Sequence, residues 1–340
     1  MSYTVRIEPS GHSFTALPEE TLLEAALRSG ININYNCSNG SCGDCRAQLL
    51  SGDVENIPAD YRFTPQEKLE GYVLLCSSRA ASDLVIAAQE AHSAKDIPLQ
   101  RITAKVVKIE PRGENIRILH LRTPRTKTLR FLAGQHACLQ LAGDDGIDAP
   151  VASCPCNGMQ LQFHFRRQSG VEFIERLFND LRSGDTIELE GPFGDVTLDD
   201  DSRRPLLMVA VGEEFAPIKS LIEHAINLDI RQALRLFWVA DKSTGHYLEN
   251  HCRSWEEVLD DYRYIPLNIA GIEPDGDEIG RLLEAIGREV DELDKVDIYV
   301  AGPAPFQHEM ERLLVKRGAE GTRIFFPRRR SRHNELAEND

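Results

Sequence analysis

Four cysteines constrain this chain more than any other feature. Cys37, Cys42 and Cys45 fall as C-x4-C-x2-C in the string CSNGSCGDC, and Cys76 follows after thirty residues in YVLLCSS. Thiolates at this spacing suit a [2Fe–2S] cluster, and Gly40 and Gly43 let the loop curl so that backbone N–H groups face sulfur. A zinc ribbon also uses four thiolates, but it usually pairs two C-x2-C knuckles, and only Cys42 and Cys45 form one here. A cluster of this kind handles electrons singly, with a potential set by charge, hydrogen bonds to sulfur and exposure.

The 340 residues allow several domains, and 41% apolar with 27% charged residues is the balance of a water-soluble globular chain. No apolar run is long enough to span a bilayer, which predicts no membrane insertion. With 39 Lys plus Arg against 54 Asp plus Glu, the net charge of −15 repels phosphate backbones. Nucleic acid is therefore excluded as a predicted partner. The opening MSYTVRIEPSGHSFTALPEE lacks the features of a secretory signal, which predicts the reducing cytoplasm and no role for disulfides among the eight cysteines.

Residues 1–92 read as an α+β unit. Strands over Tyr3 to Glu8 and His12 to Ala16 flank Ser10-Gly11, a helix runs from Thr21 to Arg28, and a further strand covers Arg46 to Leu50. Polar, Pro-containing residues 93–100 read as a linker. Residues 101–201 carry short strands, ITAKVVKI, NIRILHL, HACLQLA, MQLQFHF and TIELEGP, with one helix over Glu172 to Leu181, the pattern of a β-barrel. In residues 202–328 strands and helices alternate, which predicts a parallel sheet with crossover helices. Residues 329–340 read as a charged tail.

The cysteine loop resembles that of plant-type ferredoxins, whose C-x-x-G-x-C-G-x-C string is reproduced from Cys37 to Cys45. Domain order, with EGPFG (Glu190 to Gly194), APIKSLIEHAI (Ala216 to Ile226), LFWVADK (Leu236 to Lys242) and VDIYVAGP (Val296 to Pro303), is similar to the iron–sulfur flavoprotein reductases of the ferredoxin–NADP reductase superfamily. These include oxygenase reductase components and CDP-6-deoxyglucoseen reductases. The resemblance implies a multidomain α+β and α/β chain: an N-terminal β-grasp ferredoxin, a Greek-key β-barrel of the flavin-binding type, and a C-terminal Rossmann-like domain. It also implies Cys37, Cys42, Cys45 and Cys76 as cluster ligands, with electrons passing from NAD(P)H to FAD and then through the cluster to an acceptor.

The cofactor motifs depart from the family. An Arg-x-Tyr-Ser string should precede Ala152-Ser153-Cys154-Pro155, but Ile147 stands at the pyrophosphate-binding Arg, Ala149 at the flavin-stacking Tyr and Pro150 at the Ser. Ile174 stands where the barrel helix should offer a phosphate-binding Ser. Ser153 and Arg166 remain as remnants of a flavin site. The family's Gly-Gly-Thr-Gly turn reads Val211-Gly212-Glu213-Glu214, which puts two carboxylates where phosphates would meet a helix N-terminus. Ala301 replaces the nicotinamide-side Cys. Together these changes predict loss of NAD(P) binding and of FAD with it.

The expected function is then electron transfer by one [2Fe–2S] cluster to or from a partner redox protein, whether oxygenase, dehydratase or flavoprotein reductase. Two alternatives stand beside it: an NAD(P)H-dependent FAD/[2Fe–2S] oxidoreductase with unusual cofactor ligands, and a non-redox assembly subunit with a structural cluster. Cys138, Cys154 and Cys156, flanked by His136 and His164, are a candidate second metal or persulfide site, against the plainer reading of free cysteines as small core residues. Arg166 and Arg167 after LQFHF are candidate phosphate contacts, although paired arginines at a strand end are more often solvated or salt-bridged. Cys252 reads as helix packing.

Overall fold

A computed structural model describes residues 2–91, 93–271 and 276–327. The predicted tail, residues 329–340, lies outside them. The N-terminal unit contains β1 (Tyr3–Glu8), β2 (Ser13–Ala16), α1 (Leu22–Arg28), β3 (Arg46–Ser51), β4 (Val54–Asn56), α2 (Pro65–Leu69), β5 (Tyr72–Leu74), β6 (Ser78–Ala80) and β7 (Leu84–Ala87). Its main sheet runs β2-β1-β7-β3-β5, with β4 and β6 as a separate pair. Alternation along β1 sends Val5 and Ile7 inward, where they meet the apolar face of α1, Leu22, Leu23, Ala25 and Ala26. Thr21 starts α1 with a reciprocal capping box to Glu24. This is the expected β-grasp.

The linker region is not loose. Ile97 is buried with Ala91 and Leu132 in a small apolar cluster, and a strand begins at once at Gln100. The barrel consists of β8 (Gln100–Arg112), β9 (Ile116–Arg122), β10 (His136–Gln140), β11 (Ile147–Pro150), β12 (Gln160–Arg166), α3 (Glu172–Asn179) and β13 (Thr186–Phe193). Its antiparallel sheet runs β11-β10-β13-β8-β9-β12. The Ala152 N–H donates to the Gln162 carbonyl at 2.8 Å, so the chain leaving β11 reaches β12 and nearly closes the sheet. Helix α3 plugs one end through Phe173, Ile174 and Leu177.

The last unit alternates β14 (Leu206–Val211), α4 (Phe215–Asn227), β15 (Leu234–Asp241), α5 (Glu249–Ser254), β16 (Tyr262–Ile269), α6 (Gly276–Glu289), β17 (Asp297–Ala301), α7 (Ala304–Lys316) and β18 (Ile324–Phe325). All pairings in its sheet, β16-β15-β14-β17-β18, are parallel. Strand β14 is buried at every position, the continuous apolar run expected of a strand covered on both faces. This is the Rossmann-like domain. Among the described residues no helix is long and apolar enough to cross a membrane.

Candidate functional site

The cysteine loop connects α1 to β3. Gly40 (φ +76°) and Gly43 (φ +85°) adopt left-handed backbone conformations that side chains disfavour. A Cβ on Gly43 would lie 2.2 Å from the Tyr61 ring, and one on Gly40 would lie 2.6 Å from both Ala59 Cβ and Ser77 Oγ. The loop is thus wrapped by the segment carrying Ala59 and Tyr61, and the Tyr61 N–H donates to the Gly40 carbonyl at 2.9 Å.

The four sulfurs come together as two pairs. Cys37 hydrogen-bonds Cys42, and Cys45 hydrogen-bonds Cys76. Backbone donors surround them: Cys42 N to Cys37 Sγ at 3.4 Å and Asp44 N to Cys42 Sγ at 3.4 Å, with Asn39 on Cys37 and Gly40 on Cys76. Burial pushes the Cys42 thiol up to about 11. Its partner moves the other way: burial opposes ionisation of Cys37, but the Cys42 side chain and the Asn39 N–H outweigh it and lower its pKa. The hydrogen bond from Cys45 brings Cys76 down to about 6 and holds Cys45 far above the ordinary thiol range. Among the described residues no three His, Cys, Asp or Glu side chains gather as they would around a single ion.

One limb of the loop docks on the barrel. Ser38 N donates to the Arg125 carbonyl at 2.9 Å, Thr128 N to the Asn36 carbonyl at 3.0 Å, and Ser38 Oγ approaches Met159 Sδ at 3.6 Å. Tyr35 is buried with its hydroxyl against Thr128 and Gly158. On the other side Asn39, Ser41 and Asp44 are exposed. The sulfurs therefore lie between the barrel and a polar tip open to solvent.

Ser153 and Arg166 each have partners within the protein. Ser153 Oγ accepts the Gln162 N–H at 3.2 Å, and its carbonyl accepts from Ser220 Oγ at 2.8 Å. Arg166 forms an ion pair with Asp241 at 2.9 Å and also donates to Ser243 Oγ. Burial opposes ionisation of Asp241, but the Thr244 N–H, Ser243 and Arg166 hold its carboxyl below the usual range. Arg167 stacks over the Phe178 ring at 4.7 Å. Ile147 packs against the barrel core and Ile174 is buried within it; Ala149 is a core residue as well.

The turn before α4 lines a cleft of about 350 Å3 with Arg166, Arg167, Gln168, Val211, Gly212, Glu213, Glu214 and Pro303. Phe215 stacks on Trp238 with centroids 4.1 Å apart, and Trp238 Nε1 donates to the Gly212 carbonyl at 3.0 Å, which fixes the turn.

The second-site expectation is corrected in part. Cys154 and Cys156 come together as a disulfide, contrary to the expectation of none in a reducing compartment. Cys138 stays on β10 beside Gly146, and His164 is turned to the Tyr247 hydroxyl at 2.9 Å. No group of three metal-ligating side chains forms among the described residues. Cys252 is buried in the α/β core as expected. Lys219, which sequence reasoning passed over, is buried at the barrel junction; its signal was a lysine four residues before Glu223 inside an apolar helix.

Comparison with known proteins fits this architecture. The 2Fe-2S iron-sulfur cluster binding domain family matches residues 5–81, and the oxidoreductase NAD-binding domain family matches residues 208–312, the altered turn included. The chain is 32% identical over 265 residues to terephthalate 1,2-dioxygenase reductase component 1 of Comamonas, covering 78% of each. It is 29% identical over 303 residues to CDP-6-deoxy-L-threo-D-glycero-4-hexulose-3-dehydrase reductase of Yersinia pestis, covering 89% of this chain and 91% of that one. The crystal structure of the Amycolatopsis cytochrome P450 reductase GcoB shares the fold with a TM-score of 0.61 at 24% identity, covering 96% of this chain and 98% of that one. With its ferredoxin-type domain joined to a barrel and a Rossmann-like domain, the chain belongs to the iron–sulfur flavoprotein reductase family.

Proposed function

We propose that this protein is an electron-transfer component in which Cys37, Cys42, Cys45 and Cys76 hold one [2Fe–2S] cluster, and that it passes single electrons to or from a partner redox enzyme without oxidising NAD(P)H of its own. The observation that carries the reading is the wrapped loop that turns backbone N–H groups onto Cys37 and Cys42 sulfur, within the residues 5–81 that match the 2Fe-2S cluster binding domain family. The C-x4-C-x2-C spacing with one distant cysteine suits a binuclear cluster better than a single zinc, which usually takes two C-x2-C knuckles. When bound, the cluster supplies reversible one-electron chemistry. The chain's part is to bury the sulfurs, direct amide hydrogens at them and leave the Asn39 to Asp44 tip open to a partner. By analogy with its relatives, that partner is an oxygenase or a dehydratase.

The residues standing in the flavin and nucleotide positions do not fit those groups. Core-packed Ile147 and Ile174 offer no charge or hydroxyl to a pyrophosphate. Arg166 is spent on Asp241. Glu213 and Glu214 bring negative charge to the helix start, where a dinucleotide's phosphates belong. The second reading, an NAD(P)H-dependent reductase with unusual ligands, draws on the match of the NAD-binding family across residues 208–312 and on the names of the relatives. Purification followed by counting iron, acid-labile sulfide and flavin separates the two. The proposal expects about two irons and two sulfides per chain with no stoichiometric flavin, whereas tightly held FAD at one per chain overturns it.

A further inference from the structure

The turn that joins β11 to β12 carries Cys154-Pro155-Cys156 at the meeting point of all three domains. Ser153, just before it, is clamped by Ser220 of α4. Gly158 and Met159, just after it, touch Tyr35 and Ser38 at the base of the cysteine loop. The two sulfurs are joined. Asn227, the last residue of α4, donates from Nδ2 to the Glu223 carbonyl one turn back at 2.7 Å, and the same nitrogen lies 3.3 Å from Cys154 Sγ and 3.4 Å from Cys156 Sγ as their side-chain donor. The Cys156 N–H donates to Cys154 Sγ at 3.3 Å. Cys154 is buried, while Cys156 is partly exposed.

We propose that Cys154 and Cys156 form a reversible dithiol–disulfide site, with Asn227 as its hydrogen-bond donor, that exchanges reducing equivalents with dithiols. The asymmetry of the pair sets the direction of attack. An incoming thiolate reaches the exposed Cys156 sulfur and forms a new S–S bond there. The Cys154–Cys156 bond breaks, and its electron pair goes to Cys154, whose sulfur already accepts from the Cys156 N–H and from Asn227. Those donors stabilise the leaving thiolate. The second thiol of the reductant then attacks its own sulfur in the mixed disulfide and displaces Cys156 as thiolate. The two protons of the dithiol end on Cys154 and Cys156; the dithiol is oxidised to a disulfide, and the protein disulfide is reduced.

Asn227 is held in place by its own helix through the Glu223 carbonyl, which keeps its amide nitrogen beside both sulfurs. A site poised for exchange needs this, because the new charge appears on the buried sulfur and requires a donor already in place. The inference stands independently of the cluster assignment.

The test uses the whole purified protein, with dithiothreitol as the dithiol and maleimide alkylation read by mass spectrometry of the peptide holding both cysteines. Without reductant both cysteines stay unlabelled. Reduced dithiothreitol opens them under native conditions, oxidised dithiothreitol closes them again, and the labelled fraction follows a two-electron dependence on the ratio of the two forms. Asn227→Leu slows opening by roughly tenfold while the visible absorption is unchanged. A pair that resists excess native dithiol overturns the proposal, as does a pair that is labelled without reductant and never closes, or an Asn227→Leu variant that opens at the parent's rate. Loss of the visible chromophore in the parent protein would count against the cluster alone, since the labelling readout does not depend on it.

Discussion

Lys219 of α4 reaches across a domain boundary to the carbonyl oxygen of Ala152 at 3.2 Å. The same ammonium pairs with Glu223 one turn along its own helix at 2.6 Å, and Glu223 also meets His251 at 3.1 Å. Burial works against the Glu223 carboxylate, but His251 and Lys219 outweigh it and hold its pKa below the usual range. A charged group in so enclosed a place persists only because each polar atom has a partner.

Removing the lysine alone leaves a half-paired carboxylate at the junction. Lys219→Met is expected to lower stability by about 3 kcal/mol, read from the urea midpoint and slope. Lys219→Met combined with Glu223→Leu should recover most of that loss, because replacing a buried pair by apolar side chains is often neutral. A double variant as unstable as the single one contradicts this account of the junction.

His164 gives the stability a pH dependence. Burial, with the charge of Lys219 nearby, holds its imidazole well below the ordinary histidine range, and its Nε2 is buried without a hydrogen bond. The folded protein keeps it neutral while the unfolded chain takes up a proton below about pH 6.5. Its contribution is therefore whole above that pH and is lost as pH falls toward the depressed folded value, by at most about 1.4 kcal/mol per pH unit. Urea unfolding of His164→Gln should show a flatter dependence between about pH 5 and 6.5. An unchanged slope assigns the effect to other groups.

Gly43→Ala places a methyl group where the Tyr61 ring stands, at a backbone angle that alanine avoids. Iron content after purification should drop by more than half, with the β-grasp still folded by circular dichroism. A variant with full iron content contradicts the tight wrapping of the loop.

How much of this was readable from sequence depended on range. Strand β1 and helix α1 agree with their periodicity almost to the residue, because alternation at Val5 and Ile7 and the cap at Thr21 are local signals. Strands β4 and β5, three residues each, are too short to display a period. Strand β11 is hidden by its ending in Pro150, a strand-edge residue. The cysteine spacing was sufficient to suggest a cluster, but the backbone donors on Cys37 and Cys42 needed coordinates. A salt bridge for Arg166 could be anticipated from sequence, but not its partner Asp241, which lies 75 residues away. The joined Cys154 and Cys156 ran against the inference from cellular compartment, which speaks to averages and not to one turn held by Asn227.

The turn before α4 can be rebuilt toward the family's glycine-rich form. Val211→Gly, Glu213→Thr and Glu214→Gly together should raise affinity for NADH or NADPH by at least roughly tenfold, measured by calorimetry. If the parent already binds at micromolar concentration, the carboxylates do not exclude the dinucleotide.

Anaerobic reductive titration, followed by electron paramagnetic resonance and visible absorption, tests the central claim most directly. The account predicts that bleaching of the visible absorption takes one electron per chain from dithionite, apart from any two electrons taken up by the Cys154–Cys156 disulfide, with a spin signal that accounts for it and no bleaching on addition of NADH or NADPH. Uptake of three electrons with a flavin signature, bleaching by either nucleotide, or no reducible signal at all would contradict it.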